Sequence, residues 1–278
     1  MRKIVDYIIL TRPVNCLIAL ISVWGGAIAA SDIYFSSRII AASLSAAMIA
    51  GFGNIVNDLH DIEIDRINKQ SRPLASAAIT PKGGTVLAIV LAIIGVALSP
   101  AVHIFAPLLA LPAVILLLIY TPLLKGTYYF GNLVIALLSS LAFVFGGLAV
   151  DRPLGAWILI IFAFLLHFGR EIIKDIHDRE ADLAAGLKTG AAIGNARPSQ
   201  ILAVITLSLL FVATLFPFLL RLYGLTYLVI IAIVDVVLIV SILKLALTRD
   251  AAAMKAIAFH LKVIMPLGLL AVLLGQWG

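Results

Sequence analysis

Nine apolar runs, each about 20 residues long and so matched to the ~30 Å hydrocarbon core of a bilayer, limit what this chain can fold into. They fall at residues 12–30, 38–57, 84–101, 103–122, 128–149, 154–174, 200–220, 224–247 and 257–276. A backbone in lipid must satisfy its own amide groups, so runs of this length predict helices. Hydrophobic residues make up 63% of the chain and charged residues 12%, which excludes a soluble globular domain. The expectation is one all-α transmembrane domain over residues 1–278, with nine helices. Turn signals mark the short breaks: Ser31-Asp32, Ser99-Pro100, Lys125-Gly126, Asp151-Arg152-Pro153 and Tyr223-Gly224. The single cysteine, Cys16, lies in an apolar run and reads as a packing residue. Residues 1–11 are predicted to lead straight into the first span, which is read as retained.

The basic residues set the orientation. With the amino terminus cytoplasmic, Arg38, Arg152 and Arg221 fall on the far side and the other 17 of the 20 Lys and Arg (20 − 3) on the near side, as the positive-inside rule requires. The net charge of +6 is therefore mainly a topological signal, with attraction to anionic lipid or substrate second. Nothing points to nucleic acid. A multi-pass protein of the cell membrane is expected.

Two polar cytoplasmic loops, at 58–83 and 175–199, interrupt the pattern, and each follows an acidic cluster. Asn57-Asp58-Leu59-His60-Asp61-Ile62-Glu63-Ile64-Asp65 returns as Lys174-Asp175-Ile176-His177-Asp178-Arg179-Glu180-Ala181-Asp182. The differences 175 − 58, 177 − 60, 178 − 61 and 182 − 65 all equal 117, and so does 198 − 81 for the prolines that open the following spans. This is an internal duplication, with a first acidic motif at 54–65 and a second at 171–182. On a helix, Asn54, Asp58, Asp61 and Asp65 lie within about 60° of one another, and Glu171, Asp175, Asp178 and Asp182 repeat that face. Four spans separate the clusters, so both land on the cytoplasmic side.

Carboxylates crowded at one membrane mouth repel one another and raise each other's pKa unless cations neutralise them. Solvated helix ends paired with nearby Arg and Lys would explain one such cluster. Two copies at identical spacing on one membrane face favour a binding site. Ligands that are all oxygens, without thiolate or a His-rich spacing, point to magnesium, with manganese as the alternative. Magnesium takes few protein groups and leaves room for phosphate oxygens, so a diphosphate substrate fits. His60 and His177 sit off the acidic face and read as local hydrogen-bonding groups. Arg72, Lys125 and Lys174, joined by Arg12, Arg170 and Lys188, are the candidate diphosphate-binding cations. Lys125 stands out because its connector, Tyr120 to Gly126, is otherwise free of charge. Gly51, Gly53, Gly146 and Gly147 are read as permitting close helix packing. Phe105, Tyr120, Tyr128, Tyr129, Phe130, Phe143 and Phe145 are read as packing residues, with the wall of a hydrophobic tunnel or stabilisation of a carbocation by their π faces as the other roles.

Three segments together carry a resemblance: Asn57-Asp58-x-x-Asp61-x-x-x-Asp65, Arg72-Pro73-Leu74-Ala75-Ser76 and Lys174-Asp175-x-x-Asp178-x-x-x-Asp182. On a nine-helix pattern they resemble the UbiA superfamily of intramembrane prenyltransferases over most of the chain. Within it, Tyr120-Thr121-Pro122-Leu123-Leu124-Lys125, Gly131-Asn132 and Gly169-Arg170-Glu171-Ile172-Ile173-Lys174-Asp175 are most similar to archaeal digeranylgeranylglyceryl phosphate synthases. The resemblance implies nine helices around a central cavity, capped by the two polar loops and open sideways to lipid. It implies magnesium ions holding a prenyl diphosphate, with Asn57, Asp58, Asp61, Asp65, Asp175, Asp178 and Asp182 as metal and catalytic residues; Asn54 and Glu171 are added from their place on the acidic face. The implied reaction moves a geranylgeranyl group onto the hydroxyl of geranylgeranylglyceryl phosphate, giving an ether-lipid precursor. An aromatic acid of the 4-hydroxybenzoate kind, prenylated for a quinone, stays open as the alternative acceptor. A cation transporter is the alternative class, although its carboxylates belong near the bilayer midplane and these run into polar loops.

Overall fold

The computed structural model describes residues 2–31, 33, 35–68, 70–184, 186–193, 195–248 and 250–276. Asp32 of the first expected turn, and Lys69 and Arg249 among the basic residues, lie outside the described residues. Eleven helices follow one another among those described: α1 Arg2–Leu10, α2 Pro13–Ala30, α3 Ser37–His60, α4 Ile62–Asn68, α5 Pro81–Leu98, α6 Pro107–Ile119, α7 Phe130–Leu148, α8 Trp157–Ala184, α9 Arg197–Leu219, α10 Leu225–Leu247 and α11 Ala251–Gly275. Eight of them are long and apolar enough to cross a membrane: α2, α3, α5, α6, α7, α9, α10 and α11, with α5 extended to Ala101 and α6 to Leu124. The ninth expected span falls on α8. Its 28 residues extend about 42 Å, but Arg170, Glu171 and Lys174 interrupt its apolar stretch.

The amino terminus departs from expectation, because residues before Pro13 form a separate helix, α1, and do not simply lead into the first span. Proline has no amide hydrogen with which to continue α1, and it suits the first turn of α2. Arg12 takes up the break in the left-handed region, at φ 52°. The prolines after the two polar loops act as expected: Thr80 caps α5 by accepting the Gly83 amide at 3.1 Å, with Pro81 in the first turn, and Pro198 lies in the first turn of α9.

The helices form two compact units, residues 1–122 with 141–155, and residues 123–140 with 156–278. In the first, α3 packs against α2, α5 and α6, burying Ile39, Ala42, Phe52 and Ile55. The carboxyl-terminal half of α7 belongs here, and its Phe143 and Phe145 are buried packing residues. It crosses α2 where Gly146 lets the backbones touch: a Cβ there would sit 2.0 Å from the Val23 carbonyl oxygen, the packing role expected of it. At the start of α3, Arg38 donates to both Asp151 oxygens at 2.8 Å and to the Val102 carbonyl at 2.6 Å. Twenty residues on (58 − 38), about 30 Å along the helix, α3 delivers Asp58.

In the second unit α8 and α10 each pack against α9 and α11, around Ile172, Ile173, Leu207, Leu238 and Leu261. Two short strands, β1 Thr127–Tyr128 and β2 Lys188–Thr189, pair in parallel. The pairing ties the Lys125 connector to the loop after α8. Hydrophobic periodicity gave no sign of it, since two residues carry no pattern.

Candidate active site

The first acidic motif does not lie on one unbroken helix. α3 ends at His60, α4 starts at Ile62, and Asp61 bends between them. The four-residue spacing persists through the bend, because the Asp61 amide donates to the Asn57 carbonyl at 3.0 Å and the Asp65 amide to that of Asp61 at 2.8 Å. The three carboxylates are deeply buried: Asp58, Asp61 and Asp65 are 3%, 9% and 2% exposed. Charges so buried need partners. Arg72 donates to Asp58 Oδ1 at 2.8 Å and to Asp65 Oδ2 at 2.5 Å, and Arg12 donates to the same Asp58 oxygen. The α1–α2 break positions Arg12 and is itself pinned to α3: Asn54 Nδ2 donates to the Thr11 carbonyl at 2.9 Å and its oxygen accepts from Asn15 at 3.2 Å. The Thr121 hydroxyl donates to Asn57 Oδ1 at 3.1 Å. His60 keeps to its own helix, with Nδ1 2.9 Å from the Val56 carbonyl.

The second motif lies on the unbroken α8, so Glu171, Asp175, Asp178 and Asp182 share the expected face. Its cations are used differently. Arg170 and Lys174 both pair with Glu171, at 3.0 and 2.7 Å, and Glu171 is 8% exposed. Asp175 Oδ2 accepts from the neutral Asn132 amide at 2.8 Å, and Asp182 Oδ2 from the Thr189 hydroxyl at 3.1 Å. Burial raises the Asp182 carboxyl above its ordinary range, opposed by the Thr189 hydrogen bond and the positive charge of Lys125. Asp178 is exposed, with His177 Nε2 3.8 Å away. His177 Nδ1 lies 2.9 Å from the Ala251 carbonyl. Lys188 is exposed on β2.

Among the described residues no three His, Cys, Asp or Glu side chains form a ready metal cage. The donor chemistry nonetheless fits a hard divalent cation, because the first cluster offers carboxylate and amide oxygens, the second carboxylate oxygens, and neither a thiolate. In the first, Arg12 and Arg72 supply the positive charge that such an ion would bring. Sequence reasoning missed the neutral partners Asn15, Thr121, Asn132 and Thr189. Their signal is a lone polar side chain at the end of an apolar helix or beside a motif. It also passed over Asp235 within α10, which accepts from Thr214 at 2.8 Å; an acidic residue inside an apolar span is a recognisable flag.

The UbiA prenyltransferase family matches residues 19–263. A protein of Methanococcus aeolicus named digeranylgeranylglyceryl phosphate synthase is 34% identical over 276 residues, covering 99% of this chain and 98% of the relative. One of the same name from Methanopyrus kandleri is 34% identical over 269 residues, covering 96% and 97%. A solved structure described as giving "structural and mechanistic insights into the biosynthesis of digeranylgeranylglyceryl phosphate synthase in membranes" superposes with a TM-score of 0.82 at 31% identity, over 99% of both chains. A UbiA homolog from Archaeoglobus fulgidus bound to GPP and Mg2+ shares the fold, with a TM-score of 0.67 at 18% identity over 96% of this chain and 99% of that one.

Proposed function

Because the chain belongs to the UbiA prenyltransferase family, we propose that it transfers a geranylgeranyl group from its diphosphate to the free hydroxyl of geranylgeranylglyceryl phosphate, a step of ether-lipid synthesis. The observation that carries this reading is the end-to-end likeness to archaeal proteins of that name. The chemistry of the two oxygen-only acidic clusters supports it. Asn57, Asp58, Asp61 and Asp65 in the first cluster, and Asp175, Asp178 and Asp182 in the second, would hold magnesium. Asn54 belongs to the first set by position, although it also anchors the α1–α2 break. When bound, the metal supplies positive charge to the diphosphate oxygens.

The chain's own cations act on the same group. Arg12 and Arg72 beside the first cluster, and Lys125, Arg170 and Lys174 beside the second, would offer charged donors to a diphosphate as negative charge builds on it. The allylic carbon–oxygen bond breaks with its electron pair going to the diphosphate. The acceptor hydroxyl oxygen forms the new ether bond at that carbon, and its proton passes to a carboxylate or diphosphate oxygen. The same reading places the amino terminus and the acidic mouth on the cytoplasmic side, takes α8 as a ninth crossing, and treats the clusters as the duplicated halves of one domain.

The test offers purified protein radiolabelled geranylgeranyl diphosphate with a choice of acceptors, with and without magnesium. Label is expected in the lipid phosphate and only when magnesium is present. Label in an aromatic acid alone overturns the acceptor; transfer unaffected by a chelator overturns the metal.

A further inference from the structure

The geometry points to Asn132 as a positioning residue for the second cluster: its side-chain amide fixes the Asp175 carboxylate so that Oδ1 is the oxygen left for a metal ion. The inference rests on the metal reading above and adds a residue to it. Asn132 is 6% exposed and stands in the first turn of α7, just before the apolar run 133–138. Its Nδ2 donates to Asp175 Oδ2 at 2.8 Å. A buried amide must find a partner, and here the partner is a carboxylate of the repeated motif.

The kind of donor matters. Arg12 and Arg72 orient Asp58 but also cancel its charge. Asn132 orients Asp175 through a neutral amide and adds no positive charge of its own. Removing one rotational choice from a ligand held by a neutral amide favours cation capture, and the loss of such outer partners typically costs about 10- to 100-fold in metal affinity or activity. Leucine at this position matches the side chain in size but lacks the donor, while serine keeps a donor on a shorter stem.

The full chain in nanodiscs is titrated with Mn2+ in the absence of any prenyl substrate, with bound ion read by electron paramagnetic resonance, and the magnesium dependence of transfer is measured beside it. Asn132→Leu is expected to weaken Mn2+ binding by about 10- to 100-fold and to raise half-saturating magnesium by a similar factor, with transfer recovering at saturating magnesium. If Asn132→Leu does not fold, Asn132→Ser takes its place, with a smaller shift in the same direction. Asp175→Asn is the reference and should shift at least as far. Wild-type Mn2+ affinity in the folded variant overturns the inference while leaving the metal reading intact. So does a uniform loss of transfer at unchanged half-saturating magnesium, which marks a merely structural contact. A wild-type protein that binds no Mn2+ overturns the inference together with the metal reading.

Discussion

The two acidic clusters repeat one motif, yet their carboxylates find partners of opposite kinds. In the first, Asp58 and Asp65 are almost fully buried and are clamped by Arg12 and Arg72. In the second, Asp175 and Asp182 meet neutral Asn132 and Thr189, while the cations are drawn to Glu171. The swap behind this is visible at two aligned positions. Where the first copy has Asn54 and Asn57, the second has Glu171 and Lys174 (171 − 54 and 174 − 57 both equal 117), so one added negative charge is matched by one added positive charge. A cation entering the first cluster competes with arginines already in place; one entering the second meets Asp175 and Asp182, held by neutral side chains. If both hold metal, the first should bind it more weakly on its own and gain more from an arriving diphosphate, which gives Arg12 and Arg72 a new partner.

The harshest way to break this comparison is to remove one carboxylate from each side. Asp61→Ala and Asp178→Ala should each lower magnesium-dependent transfer by about 100-fold or more, the several kcal/mol that metal charge stabilisation contributes, while leaving a folded membrane protein. Full activity in Asp178→Ala with none in Asp61→Ala would reduce the second cluster to a solvated helix end.

A smaller effect separates the two sets of cations. Arg72→Ala leaves Asp58 and Asp65 buried with part of their compensation gone, and losing one partner of a buried pair costs about 3–5 kcal/mol. The Lys174 side chain is 41% exposed, and Arg170 stays on Glu171 without it, so Lys174→Ala should cost about 1 kcal/mol or less. Thermal unfolding of both variants in one detergent checks the contrast. Added magnesium should restore part of the Arg72→Ala loss by replacing the missing charge. Equal losses in the two variants would erase the distinction.

Much of this arrangement was legible in the sequence, for identifiable reasons. The spans follow from run length, and the paired motifs from the 117-residue offset, because both are local or repeated patterns. Pro81 and Pro198 marked helix starts through their missing amide hydrogens. What stayed hidden depends on contacts between distant residues. Arg12 lies 46 residues from Asp58, and its reach depends on a left-handed break that no pattern at Thr11-Arg12-Pro13 specifies. Asn132 lies 43 residues from Asp175 and looked like one more residue of a family likeness. The bend at Asp61 went unseen because helical spacing reads the same on either side of it.

The smallest effect is expected at the far end of α3, where an ion pair has no part in either cluster. Hydrogen bonds from Arg38 hold the Asp151 carboxyl below its ordinary range, and His103 Nε2 lies 3.5 Å from the same carboxylate. A carboxyl whose folded pKa is depressed binds fewer protons in the native state than in the unfolded chain. Its contribution is therefore fully present above about pH 4, the ordinary aspartate value, and is lost as pH falls through the lower folded value. Asp151→Asn should flatten that acid-side loss and do little else, because Arg38 keeps its bonds to the Val102 and Leu148 carbonyls, at 2.6 and 3.3 Å. Unfolding followed from pH 7 to pH 3 measures the first point, and magnesium-dependent transfer at neutral pH measures the second. Loss of transfer in Asp151→Asn on the scale expected for Asp61→Ala would mean that carboxylates at either end of α3 serve activity alike, and the contrast between the clusters would no longer locate the chemistry.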